Sequence, residues 1–288
     1  MNQEPITVNS KAITPLLNSN ETQIIFQRHC NYDRANGGLV EDSIKEQQKI
    51  ISQFISSLGN VNPDDLRNTY FLFDASMTTS SIDFKRCVET TNIAMEAIKS
   101  FFKENNIPIS HIINLNEALN YNSSIHENRQ LVEPKMFTDG TGFLEYLKEK
   151  HGGINLDFWI DFEEDNSKEK RQELCAEGPD EIVDRATFYI NVLKRYAKIF
   201  HQKFPNSRLI IWCGTHYDVI SPLLKQKALN YDKEDIVKVE YCGGISFLID
   251  KANNIIVNIS GVNYPFDSQY NKQLHRHFQK QEPHHEKI

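Results

Sequence analysis

Arginine and histidine side chains follow three apolar runs of the sequence, at the point where each run gives way to polar residues. Arg28 and His29 stand side by side after the run IIF. Arg86 follows the run YFLFD, and His216 follows the run LIIWC. Such runs are typical of buried strands, and the carboxyl ends of parallel strands meet at one edge of a sheet. The sequence therefore predicts that two arginines and two histidines converge on one site.

This combination of side chains suits phosphoryl transfer. Guanidinium groups bind phosphate oxygens through paired hydrogen bonds, and a neutral imidazole can attack phosphorus to form a phosphohistidine. A second imidazole, in protonated form, can hold another oxygen, and cations placed in advance stabilise the transition state without a metal. We therefore expect no cofactor and no metal. Taken one at a time, Arg28 could instead form a surface ion pair and each histidine could be an ordinary loop residue.

The overall charge argues against some partners but not against a small phosphorylated ligand. The 288 residues carry a formal net charge of −7, whereas a nucleic-acid binder needs a basic face. A small phosphorylated substrate or a phosphoprotein is the expected partner, and neither a membrane nor a nucleic acid is expected. The five cysteines are scattered and include no CxxC pair. This usage predicts no disulfide framework and a cytoplasmic location.

Strand and helix patterns alternate along the chain. This order predicts an α/β fold, with helices on both faces of a mainly parallel central sheet, which is a three-layer αβα sandwich. The predicted strands are residues 22–27, 70–74, 107–115, 208–213, 236–241, 244–250 and 255–259. The predicted helices are residues 42–58, 84–104, 139–150, 180–204 and 217–226. Residues 157–162 are predicted to be a strand or an apolar loop.

Polar ends flank a single predicted domain. Residues 1–20 are interpreted as a flexible lead-in and residues 271–288 as a flexible polar tail. The domain comprises residues 21–270, with an inserted cap segment around 122–178 that could select the substrate.

The motifs at the predicted site resemble those of the histidine phosphatase superfamily, in its phosphoglycerate-mutase-like branch. RHC at residues 28–30 resembles the family's Arg-His-Gly motif, and SIDFKRCVET at 81–90 resembles Ser-x-x-x-x-Arg-Ala-x-Gln-Thr. THYDVI at 215–220 resembles Ser-His-Gly-x-x-Ile, and YCGGISFL at 241–248 resembles a closing small-residue strand. The resemblance spans residues 22–262 in the family's order and implies the family's three-layer fold.

The resemblance implies a role for each residue. His29 is the expected nucleophile, and Arg28, Arg86 and His216 complete the phosphate pocket. LNEALNY at residues 115–121 is similar to the family's Leu-Asn-Glu segment, so Glu117 is the expected general acid.

Other residues could be the general acid, and the sequence departs from the family motifs at several positions. Glu163, Glu164 and Asp218 are the fallback acids. The family's asparagine near the phosphate has no clean match, because Asn36 comes one place late and Asn31 too early, and Asn36 is the expected phosphate-binding residue. Cys30 and Tyr217 each replace a glycine of the family motifs, and Tyr217 could narrow the pocket.

The expected function is hydrolysis of phosphomonoesters without a metal, through a phosphohistidine on His29. A phosphomutase of the same family is one alternative. A catalytically silent member that binds a phosphorylated ligand or a partner protein is another.

Overall fold

A sheet of seven strands forms the centre of the structure, a computed structural model that describes residues 6–15, 18, 21–33, 35, 37–76, 86–115, 141–229 and 237–270. Its strands are β2 (Thr22–Arg28), β3 (Thr69–Ala75), β4 (Ile112–Asn114), β5 (Arg208–Thr215), β7 (Gly244–Ile249), β8 (Ile255–Ile259) and β9 (Val262–Pro265). They lie in the order β4-β3-β5-β2-β7-β8-β9. Two further short strands, β1 (Thr7–Val8) and β6 (Lys238–Val239), pair with each other in parallel.

The sheet is parallel on one side and antiparallel on the other. The first four strands in this order, β4-β3-β5-β2, are mutually parallel. From β2 onward, β7, β8 and β9 follow by successive antiparallel pairs. A parallel strand covered on both faces requires apolar residues at nearly every position, and every residue of β5 is buried. The strongest apolar run of the sequence therefore lies in the middle of the parallel half.

The helices cover both faces of the sheet. They are α1 (Glu41–Gly59), α2 (Pro63–Arg67), α3 (Arg86–Glu104), α4 (Phe143–His151), α5 (Leu156–Glu163), α6 (Lys168–Glu173), α7 (Pro179–Lys203) and α8 (Tyr217–Leu224). Side chains alternate across a strand, so neighbouring residues of β2 enter different cores. Ile25 packs with α1 and α3, whereas Ile24 and Phe26 pack with α7 and α8. The predicted α/β class with helices on both faces of the sheet is confirmed.

A buried polar network ties α1 to the end of β2. The Gln27 side chain accepts a hydrogen bond from Trp212 Nε1 at 2.9 Å and from Gln47 Nε2 at 3.1 Å. It donates from Nε2 to Gln47 Oε1 at 2.7 Å and to the Cys242 carbonyl at 3.0 Å. A buried amide is costly unless its donors and acceptors are paired. Gln27 is fully paired, which fixes the residue that precedes Arg28.

Residues 157–162 are helical rather than a strand or a loop, so that prediction is wrong. They belong to α5, whose first turn is capped by Asn155, since its Oδ1 accepts from Phe158 N at 3.0 Å. Phe158 and Phe162, four residues apart, are both buried. A short apolar run cannot be assigned to a strand or a buried helix by periodicity alone, and the cap and the buried phenylalanines settle it.

Part of the predicted flexible lead-in is packed against the domain. β1 pairs with β6, and Val8, Ala12 and Ile13 are buried. The segment is held by hydrogen bonds to β7, since Gly244 N donates to the Asn9 carbonyl at 3.1 Å and Ser246 Oγ donates to the Ala12 carbonyl at 2.5 Å. The segment predicted as the tail, residues 271–288, and the part of the predicted cap at 122–140 lie outside the described residues. Within the described ranges, none of the helices is both long enough and apolar enough to cross a bilayer.

Close packing of α3 on β5 predicts a cost for any side chain at Gly214. A Cβ there would collide with Thr91 Oγ1 and would lie 2.9 Å from the Cys87 carbonyl oxygen. We expect Gly214→Ala to lower the free energy of unfolding by about 1 to 3 kcal/mol, as overpacking does. Chemical denaturation measures this.

Gly59→Ala is the matched control. The Cβ at that helix end would meet only ordinary contacts at 3.9 Å from the Phe101 ring, and alanine favours helix over glycine. We expect no loss of stability for Gly59→Ala. Equal unfolding midpoints for the two variants would contradict the close approach of α3 to β5.

Candidate functional site

The parallel pairing of β2 with β5 brings the first two chain segments of the site together. Arg28 lies opposite Thr215 in the register, and His29 N donates to the Thr215 carbonyl at 2.9 Å. The residues that follow, His29 and His216, therefore leave the sheet side by side. Their ring centroids are 5.4 Å apart, and both side chains are buried.

Arg86 joins these two histidines from the first residue of α3. Its Nε donates to His29 Nε2 at 3.1 Å, and its Nη2 lies 3.5 Å from His216 Nδ1. The guanidinium carbon is 4.7 Å from the centre of the Tyr32 ring. A cation at a helix N-terminus faces the unfavourable end of the helix dipole. The positive charge of Arg86 therefore does not stabilise the helix, and it can instead attract an anion.

The surroundings of His29 determine which of its nitrogens can act as a nucleophile. Nδ1 lies 2.8 Å from the Cys30 carbonyl oxygen. A carbonyl oxygen only accepts hydrogen bonds, so Nδ1 carries the proton and Nε2 keeps its lone pair. Burial first, and then the charge of Arg86, hold the pKa of His29 well below its ordinary value. The ring is therefore neutral at neutral pH, as a nucleophilic imidazole must be.

His216 has similar surroundings, with a different consequence. Burial lowers its pKa well below the ordinary value, and Arg86 and His29 add to the effect. These surroundings contradict the expectation of a protonated second imidazole, because they favour the neutral ring. The thiol sulfur of Cys87 lies 3.5 Å from His216 Nε2, a contact that the sequence did not suggest.

One buried donor of Arg28 is unpaired within the described part of the chain. Its Nη1 donates to the Val239 carbonyl at 2.5 Å, and its guanidinium carbon lies 3.9 Å from the centre of the Tyr241 ring. Its Nε is buried and has no hydrogen-bond partner among the described residues. An unpaired buried donor on a cation is costly. A phosphate oxygen would satisfy it.

Both carboxylate oxygens of Glu163, one of the fallback acids, accept hydrogen bonds from other side chains. Its Oε1 accepts from Tyr217 Oη at 3.0 Å and from Ser221 Oγ at 2.7 Å, and its Oε2 accepts from Lys225 Nζ at 3.1 Å. Both carboxylate oxygens of Glu163 are therefore occupied by donors of the protein itself. Burial, and then the charge of Glu163, raise the pKa of Tyr217 and keep that hydroxyl protonated.

The other predicted site residues are Asp218, Glu164, Glu117 and Asn36. Asp218 is buried and its charge acts on Arg28, where it raises the pKa of the guanidinium against the larger lowering by burial. Glu164 accepts a hydrogen bond from Asn166 Nδ2 at 2.9 Å, in the turn after α5. Glu117 and Asn36 lie outside the described residues, so their roles stay predictions. No group of three or more His, Cys, Asp or Glu side chains in the described ranges is arranged to hold a metal ion.

Two tyrosines near His29 were missed from the sequence. The ring centroids of Tyr32 and Tyr241 lie 5.4 Å and 5.8 Å from that of His29. Tyr32 is only three residues after His29, so its proximity could have been suspected. Tyr241 precedes β7, far along the chain, and only the antiparallel pairing of β2 with β7 brings it to the site.

The sequence predicts no disulfide framework, but one pair of cysteines is bonded in the structure. Cys30 and Cys242 are bonded to each other, with their Cα atoms 4.4 Å apart. They are 212 residues apart in the chain, and the pairing of β2 with β7 brings them together. Spacing in the sequence carries no signal for such a pair. The cytoplasmic location stays a prediction.

Comparison with known proteins finds solved structures that are similar at low sequence identity. No family model and no curated protein matches the sequence. A solved structure named mycobacterial hydrolase 2 is 11% identical, covers 92% of this chain and 99% of its own, and has a TM-score of 0.45. The structure of a mycobacterial glucosyl-3-phosphoglycerate phosphatase is 10% identical, with 85% and 96% covered and a TM-score of 0.41. These values carry no argument about function.

The lowered pKa values of the two histidines predict a loss of stability in acid. Below an ordinary pKa of 6.5, the unfolded chain binds protons that the folded site excludes. The free energy of unfolding therefore falls as pH drops below this value, by about 1.4 kcal/mol per pH unit for each histidine. We expect His216→Gln to reduce the slope between pH 6 and pH 5 by about this amount, measured by denaturation at each pH.

The double variant His29→Gln/His216→Gln should reduce the slope about twice as much. Slopes identical to that of the unaltered protein would show that these rings are not held neutral by burial and Arg86.

Proposed function

We propose that the protein hydrolyses phosphomonoesters without a metal, through a phosphohistidine on Nε2 of His29. The observation that carries this proposal is the meeting of three groups in one buried place: the lone pair of His29 Nε2, the guanidinium of Arg86 and the ring of His216. The unpaired buried Nε of Arg28 supports an anion at the same place. Groups of this kind and charge suit a phosphoryl group better than a neutral substrate.

The first step would transfer the phosphoryl group to the protein. His29 Nε2 gives up the hydrogen bond that it accepts from Arg86 Nε and attacks phosphorus, and the bond between phosphorus and the ester oxygen breaks. Arg28 and Arg86 bind the equatorial oxygens, and Arg86, which contacts Nε2, stabilises the charge that develops on them in the transition state. The Nδ1–H bond to the Cys30 carbonyl stabilises the positive charge that the ring gains. The leaving oxygen takes a proton from a carboxylic acid, for which the resemblance of residues 115–121 favours Glu117.

The second step would return His29 to its starting form. The same carboxylate, now ionised, removes a proton from water, and the water oxygen attacks phosphorus as the bond to Nε2 breaks. The products are an alcohol and inorganic phosphate. Neither step needs a redox partner, and the proton given up in the first step is recovered in the second.

Hydrolysis that depends on His29 tests this proposal. We expect turnover of 4-nitrophenyl phosphate in the presence of a metal chelator, and a loss of about a thousandfold or more in His29→Ala, because the covalent route is removed. Acid-labile, base-stable phosphate on the unaltered protein after a rapid quench would identify the intermediate. Phosphate binding without turnover on any of a panel of phosphate esters would favour the catalytically silent alternative.

The identity of the acid has its own test. A general acid matters most when the leaving group is poor. We expect Glu117→Gln to slow hydrolysis of an alkyl phosphate by about a hundredfold and that of 4-nitrophenyl phosphate much less.

Glu163→Gln is the matched control, since it changes a carboxylate that is already fully hydrogen-bonded. It should affect both substrates alike. A stronger dependence on the leaving group in Glu163→Gln than in Glu117→Gln would reverse the two assignments.

A further inference from the structure

A turn of residues 239–243, hereafter the tyrosine turn, is joined to the nucleophile segment at three successive positions. Arg28 N donates to the Gly243 carbonyl at 2.8 Å, and Cys242 N donates to the His29 carbonyl at 3.4 Å. The third link is the disulfide between Cys30 and Cys242. The backbone around the nucleophile therefore cannot move without the tyrosine turn.

The tyrosine turn also holds the guanidinium of Arg28. The Val239 carbonyl accepts from Arg28 Nη1 at 2.5 Å, and the Tyr241 ring lies 3.9 Å from the guanidinium carbon. A ring face at this distance attracts a cation. Together these contacts take up one nitrogen and one face of the guanidinium, and the buried Nε is left for a ligand oxygen. The position of the turn thus decides where the donors of Arg28 lie.

The turn is not in a relaxed conformation. Cys242 has a φ of 57°, in the left-handed region that disfavours residues with a side chain. Tyr241 at its tip is 41% exposed, so burial holds this residue only in part. The disulfide bonds the strained residue covalently to the nucleophile segment, and it therefore opposes relaxation of the turn.

We propose that the Cys30–Cys242 disulfide positions Arg28 through the tyrosine turn, so that the thiol–disulfide state of this pair sets the affinity of the site for phosphate. This inference rests on the proposed function for its substrate, but not for its geometry. Reduction by a dithiol breaks the sulfur–sulfur bond and adds two electrons and two protons, and the dithiol becomes a disulfide. The turn then relaxes, and Arg28 loses its support on one side.

Both states of the protein can be compared directly. The oxidised protein and the protein reduced with dithiothreitol are each titrated with inorganic phosphate by calorimetry and assayed with 4-nitrophenyl phosphate in chelator. Alkylation and mass measurement verify the state of the pair. We expect reduction to raise the Kd for phosphate and the KM by about tenfold, with a much smaller change in kcat, because Arg28 binds the phosphate in substrate and transition state alike.

Cys242→Ser tests whether the effect of reduction comes from this disulfide or from the other cysteines. It should resemble the reduced protein and should not respond to dithiothreitol. Cys175→Ser removes an exposed free thiol and should keep both the affinity and the response. Serine is a close match for cysteine in size at the left-handed position.

A second pair of variants leaves the disulfide in place. Tyr241→Phe keeps the ring face under Arg28 and should keep the affinity for phosphate. Tyr241→Leu loses the ring face and should weaken phosphate binding, with an unfolding midpoint close to that of Tyr241→Phe. This comparison keeps the inference open to test even if Cys242→Ser does not fold.

The outcomes separate the two proposals. Turnover with equal Kd and KM in the verified oxidised and reduced states would overturn the role of the disulfide and leave the hydrolase intact. A weaker Kd on reduction without turnover in either state would overturn the hydrolase and keep this inference. Neither binding nor turnover in the oxidised protein would overturn both.

Discussion

The parallel register between β2 and β5 is the constraint on which the site depends. It places Arg28 opposite Thr215 and lets His29 N bond to the Thr215 carbonyl. A shift of one residue would turn every side chain of β2 to the other face of the sheet. The Gln27 side chain opposes such a shift, because it is hydrogen-bonded to Trp212 on β5.

Cations and imidazoles are buried together in the site, and the two kinds of side chain respond differently to burial. The two histidines give up their protons, since burial and Arg86 lower their pKa values. Arginine keeps its charge in almost any surroundings. Arg28 and Arg86 are instead supported by tyrosine rings, and Arg28 also by a carbonyl. With both adaptations, the site favours a negatively charged ligand.

The hydrogen bonds of the Glu163 side chain connect the end of α5 to α8. Glu163 fixes the Tyr217 hydroxyl and the Lys225 ammonium at the start and just beyond the end of α8. The tyrosine that replaces a motif glycine thus has a structural partner, and its ring lies 5.4 Å from the Arg28 guanidinium carbon. Support for the arginine therefore comes from both sides: from α8 and from the tyrosine turn.

The amino-acid sequence by itself determined the fold class, most of the long elements and the convergence of His29, Arg86 and His216. It could do so because apolar runs and helical periods are local signals, and because parallel strands have a common edge where Arg28, His29 and His216 must emerge. It misjudged residues 157–162, where a short apolar run is compatible with two structures. Only the tertiary structure decided that Cys30 is bonded to Cys242, that Glu163 is occupied and that Tyr241 lies against Arg28. Each of these depends on contacts between residues far apart in the chain, for which spacing along the sequence carries no information.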